Sequence, residues 1–227
     1  MIRSTEALGR LRLMQLVSPT LPVGGFTYSQ GLEWAVEAGW VNDELSLVDW
    51  LTGLIHDNLG QLDLPIVKRL YLACQAGNEA ELRHWCEYLY ASRETRELRD
   101  EERHRAHAMT TLLVDLGVDN AALWRSTLRL CQAAPYALAA WNWKIAATDA
   151  ALGYGFSWLE NQTTTAVKLI PLGQTAGQRV QLRLAELLAE VTKDALRLPD
   201  EMIGACAPAQ AIASSQHETQ YTRLFRS

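Results

Sequence analysis

Apolar residues recur along this chain at the spacing of an α-helix, and nowhere do they alternate at the period of two that a half-buried strand requires. Tyr28, Leu32, Ala35 and Val36 form one such stripe, and Leu45, Val48, Leu51, Leu54 and Ile55 form another. Leu82, Trp85, Cys86 and Leu89 form a third, and the stretch from Leu182 to Leu196 alternates charge with leucine at the same period. The pattern predicts an all-α protein. Roughly ten helices of ordinary length fit residues 1–204 as a single globular domain, with no internal repeat.

Punctuation between the stripes predicts where helices start and stop. Asn42-Asp43-Glu44 reads as an N-cap followed by first-turn acids, and Asn78 with Glu81 as a second cap. Asp63-Leu64-Pro65 predicts another start, because proline is tolerated in a first turn. Gly77, Gly117 and Pro171 limit the preceding helices, and Asp119 would cap a helix through Leu123, Trp124, Leu128 and Leu130. The small-residue run Ala137–Ala147 suits a central helix closely approached by its neighbours, while Gly153 and Gly155 predict a bend before a helix over 156–170.

Between the first two helical runs lies a segment of different character, Ser18-Pro19-Thr20-Leu21-Pro22-Val23-Gly24-Gly25-Phe26-Thr27-Tyr28-Ser29-Gln30-Gly31-Leu32-Glu33. Its prolines fix φ, its glycines permit angles other residues avoid, and its apolar side chains need cover from the domain or from a partner. Thr27 and Gln30 have the spacing of a capping box that would open the next helix.

Net charge is −5, which argues against a broadly basic nucleic-acid surface. No apolar run reaches the ~20 residues of a bilayer span. Arg3, Glu6, Arg10 and Arg12 interrupt the first helix where a signal peptide would be continuously apolar. Cys74, Cys86, Cys131 and Cys206 are scattered without a CxxC pair, as free thiols in a reducing, cytoplasmic setting would be.

Between Arg93 and Arg105, five arginines are balanced by Glu94, Glu97, Asp100, Glu101 and Glu102. Pairs four apart, Arg96–Asp100 and Glu101–Arg105, are worth ~0.3 kcal/mol each on an exposed helix. The segment reads as a solvated helix face, with an arginine-lined interface as the alternative. His104 and His107 could share one helix face, yet no third ligand accompanies them, so they read as surface histidines. P-loop, GxGxxG, HExxH and GxSxG motifs are all missing, so the wording supports no enzyme.

After Pro199 the helical pattern fades, and residues 205–227 read as a flexible tail. Its last part, Tyr221-Thr222-Arg223-Leu224-Phe225-Arg226, combines aromatic, aliphatic and basic residues, the composition of a segment that orders on a partner. Lys168 sits inside an apolar run, either as a stem packed on the core or as a cation shown to a partner.

The three segments SPTLPVGGFTYSQGLEWAVEAGWV (18–41), SWLENQTTTAVKLIPLGQTAGQR (157–179) and ETQYTRLFRS (218–227) together resemble the urease accessory protein UreF family. The resemblance implies an all-helical homodimer without catalytic residues, cofactor or metal of its own. It implies a complex with UreD (also called UreH) that receives the GTPase UreG and docks on urease apoprotein for nickel insertion and lysine carbamylation. Carried over residue by residue, it points to Tyr28, Ser29, Gln30 and Glu33 in the N-terminal signature and to Lys168 and Gln174 in the second block. Tyr221, Arg223 and Phe225 match the C-terminal signature. Lys168 is assigned an influence on UreG, and the tail a contact with UreD. Two alternatives stand beside this reading: a metallochaperone that holds nickel at His104 and His107, and an all-helical hydrolase.

Overall fold

The computed structural model describes residues 4–227; Arg3, counted above among the N-terminal charges, lies outside them. Every regular element among the described residues is helical. In chain order these are α1 (Ser4–Leu16), a 3₁₀ turn (Gly25–Thr27), α2 (Leu32–Glu37), α3 (Glu44–Leu54), a π-helical stretch (Ile55–Asp63) and α4 (Leu64–Ala76). There follow α5 (Glu79–Ala91), α6 (Arg96–Asp115), α7 (Arg125–Leu128), α8 (Ala133–Asn142), α9 (Ala147–Leu169), α10 (Gln174–Ala195), a 3₁₀ turn (Asp200–Met202) and α11 (Pro208–His217). No described helix is long and apolar enough to cross a membrane.

The small-residue helix is central, as its composition predicts. Every residue of α8 from Ala133 to Ala140 is buried, and its alanines let α4, α6 and α9 approach its backbone. Around it α9 packs along α10, and α5 covers α4. Asp43 caps α3 through a reciprocal box with Ser46, and Asn78 caps α5 by accepting from the Glu81 amide at 3.1 Å.

Several boundaries differ from expectation, each for a local reason. The start expected at Asp63-Leu64-Pro65 is where α4 begins, with Pro65 in its first turn, but no side-chain cap opens it. The chain enters from a widened helical turn over Ile55–Asp63, and the Asp63 carboxylate faces the interior. Gly153 and Gly155 do not bend the chain but lie inside α9. A Cβ on Gly153 would come within 2.7 Å of Leu13 Cδ1, and one on Gly155 within 2.8 Å of Leu188 Cδ1. These glycines admit neighbours rather than turn the backbone. The helix expected after Asp119 is reduced to turns and the short α7. Thr27 and Gln30 form no capping box. Thr27 Oγ1 donates to Gly24 O at 2.9 Å, Gln30 is left-handed (φ 54°), and α2 begins after Gly31.

The tail departs most. Residues 208–217 form α11, with Pro208 in its first turn, and α11 packs on α2 through buried Gln210, Ala213, Ser214 and His217. The segment beyond it lies along the body, held by the contacts described next.

Candidate functional site

Two clusters of charge meet on α6. The inner one is enclosed. Arg93, on the loop before α6, places its guanidinium 2.5 Å from Asp63 Oδ1 and 2.8 Å from Glu102 Oε1. Glu102 Oε2 accepts from the Gln132 amide at 2.8 Å, tying the cluster to the start of α8. Next to it in the chain, Glu101 accepts from Arg105 at 2.9 Å and from Gln30 Nε2 at 3.0 Å. Burial alone would lower the Arg93 pKa, but Asp63 and Glu102 hold it well above the ordinary value. The charged stretch is thus no solvated face: Glu97, Glu101 and Glu102 are buried, and its arginines line the interior as well as the surface.

The outer cluster binds the tail. Glu33 on α2 accepts from the Leu224 amide (2.6 Å) and the Phe225 amide (2.9 Å). His217, fully buried at the end of α11, sets Nε2 3.0 Å from Glu33 and Nδ1 2.7 Å from Glu97. Arg223 reaches the other oxygen of Glu97 at 2.7 Å. Glu218 accepts from the amides of Arg96 (2.8 Å) and Glu97 (3.3 Å), a second cap on α6 beside Thr95.

The Pro/Gly-rich segment supplies the seat. Arg226 N donates to Thr27 O and Ser29 N to Ser227 O, both at 2.8 Å, so the two strands of backbone pair. Ser29 Oγ also donates to Ser227 O. Gly31 takes φ 87°, and a Cβ there would lie 2.8 Å from the Ser214 amide, so only glycine fits beneath α11.

The predicted residues therefore separate into two groups. Ser29, Gln30 and Glu33 are buried and engaged within the chain, as is Tyr28, whose hydroxyl lies 3.2 Å from His104 Nδ1. Burial raises the Tyr28 phenol, with Arg226 opposing. Gln30 is a junction: its amide joins Glu101 to Trp158 Nε1 (2.7 Å), and its carbonyl accepts from Gln210 at 3.4 Å. Tyr221 and Leu224, in contrast, are exposed, at 103% and 74%. Arg223 is partly free, Phe225 is buried, and the Lys168 ammonium stands 5.8 Å from the Phe225 ring centroid. Gln174 lies at the start of α10 and shares a shallow groove with Lys168.

Sequence reasoning missed His217 and Glu97, which hold the tail, and Gln210, which joins α11 to Asn58 at 2.8 Å. A histidine opening a signature of charged and aromatic residues was the one available signal. His104 and His107 are both exposed, and among the described residues no group of three or more His, Cys, Asp or Glu could hold a metal ion.

With this geometry in place, similarity decides the family. A family model described as UreF matches residues 41–185. The chain belongs to the UreF family. It is 49% identical over 221 residues to the "Urease accessory protein UreF" of Escherichia coli O157:H7 (strain EC4115 / EHEC), covering 96% of this chain and 97% of that protein. It is 50% identical over 220 residues to the protein of the same name from Pseudomonas entomophila (strain L48), covering 97% and 98%. With that of Alkalilimnicola ehrlichii (strain ATCC BAA-1101 / DSM 17681 / MLHE-1) identity is 47% over 227 residues, covering 99% and 100%. The UreF-family segments quoted from the sequence converge in space: the first seats the third, and Lys168 of the second faces Phe225 of the third.

Proposed function

We propose that this UreF-family chain is a non-catalytic assembly factor in urease maturation. It joins UreD (UreH) in a complex that receives the GTPase UreG and docks on urease apoprotein, where nickel is inserted and a lysine carbamylated. It works as a cytoplasmic homodimer, needs no cofactor of its own, and acts on UreG by holding it in one state. The observation that carries this reading is the docked tail. Its backbone is fixed by Glu33 and Thr27 and leaves Tyr221 and Leu224 exposed, while Lys168 stands over the neighbouring Phe225 ring. A seated backbone that leaves an aromatic side chain, Tyr221, and a partly exposed arginine, Arg223, at the surface has the make-up of a binding hot spot. Within it, the tail serves UreD and Lys168 serves UreG.

Removing residues 218–227 is expected to abolish co-purification with UreD while circular dichroism and sedimentation show an intact helical dimer. Undiminished capture of UreD by the truncated chain would refute the assignment of the tail.

A further inference from the structure

We propose that Gln30 is the positioning residue of the docked tail: its side-chain amide locks the left-handed turn that brings Ser29 and Glu33 onto one stretch of the C-terminal segment. This goes beyond the assignment of partners, because a buried Gln30 acts on them only through the tail.

The tail is gripped from both sides of residue 30. Before it, Ser29 N and Oγ donate to Ser227 O. After it, Glu33 accepts from the Leu224 and Phe225 amides. These two grips form a clasp on neighbouring residues of the tail, so they must stand at a fixed spacing. The backbone angles of Gln30 and Gly31 set that spacing, and both residues are left-handed, at φ 54° and 87°. Glycine enters that region freely. Glutamine does not, because its Cβ crowds the following carbonyl oxygen, a handicap of about tenfold in population. Such a conformation persists where the surroundings over-determine it.

The surroundings of Gln30 require an amide. An indole N–H only donates, so the Trp158 contact of 2.7 Å fixes the amide oxygen on α9. The NH2 group then falls to Glu101 on α6, at 3.0 Å. An aliphatic side chain would meet neither need, and a glutamate would set a second carboxylate against Glu101. The backbone of the same residue uses the turn. Its N–H points to Ser227 Oγ and its carbonyl accepts from Gln210 of α11, each at 3.4 Å. Gln30 is 8% exposed, so the lock lies behind the surface that the tail presents.

Hydrogen exchange in the full chain, read at the Leu224 and Phe225 amides against those of α8, tests the lock with two replacements. Gln30→Met keeps the length of the side chain and the left-handed handicap but loses both side-chain hydrogen bonds. Gln30→Gly loses the same bonds and the whole side chain, yet takes a left-handed φ without steric strain. If Gln30 only filled space, glycine would harm the tail more than methionine. The lock predicts the reverse order. Tail protection is expected to fall about tenfold in Gln30→Met and to stay within about threefold of wild type in Gln30→Gly. Wild-type protection in Gln30→Met overturns the proposal, as does a Gln30→Gly tail that exchanges as fast as that of Gln30→Met or faster. Where α8 exchange shows that Gln30→Gly has not folded, Gln30→Asn takes its place with the same expected order, since asparagine also tolerates the left-handed region. UreD plays no part in the readout, so the lock and the partner assignment fail separately.

Discussion

The two charge clusters on α6 are built from the same residue types and are used differently. The inner one joins Asp63, Arg93, Glu102 and Gln132 from four parts of the chain that all belong to the core. The outer one joins two body residues, Glu33 and Glu97, to a segment that covers them from outside. Buried ion pairs contribute little net stability over apolar packing, but half of such a pair is costly to leave behind. Inside, that penalty fixes how the helices pack. Outside, it decides whether the tail is seated, since an empty clasp leaves two acids that water can reach.

The comparison breaks most readily at Arg93. Arg93→Ala strands Asp63 and Glu102 in the core, and a loss of about 3–5 kcal/mol is expected in urea denaturation. A loss below about 1 kcal/mol would put the inner cluster on a level with a surface pair. Gly31→Ala comes next, at roughly 1–3 kcal/mol, because it combines a strained φ with a collision against the Ser214 amide. Exchange should rise in α11 and the tail and stay unchanged in α8; a uniform rise would mean that the tail is part of the core's cooperative unit. Asn78→Ala, which uncaps α5 far from both clusters, should cost about 1 kcal/mol and leave Leu224 and Phe225 protection as it was. Smallest in stability is Lys168→Ala, at no more than about 1 kcal/mol for an exposed cation over Phe225. Its expected effect is on UreG recruitment or urease activation, and unchanged recruitment and activation would remove Lys168 from the proposed surface.

How far these clusters could be read from sequence differs for physical reasons. Helix periodicity revealed α3, α5 and α10, and the caps Asp43 and Asn78 were legible because a cap is a local interaction within one turn. The charged stretch was not. Its composition is the same whether it faces water or the interior, and its deciding partners, Asp63 and Gln132, lie 30 residues away on either side. Helix α11 escaped for another reason. It docks through polar Gln210, Ser214 and His217 rather than an apolar stripe, so its pattern resembled that of a loose segment. Tyr28, Ser29, Gln30 and Glu33 drew notice as a partner-binding signature, and in the fold Ser29, Gln30 and Glu33 seat residues 224–227.

The clasp joins residues very far apart in the chain: Ser29 meets Ser227 across 198 positions, and Glu33 meets His217 across 184. Contacts of such separation carry a large loop-closure cost until intervening helices have folded and shortened the gap. The seat for the tail is itself assembled from α2 and α6, so it does not exist on an unfolded body. Closing the clasp is a late step in folding, and a protein that recognises the seated tail is thereby recognising a folded body.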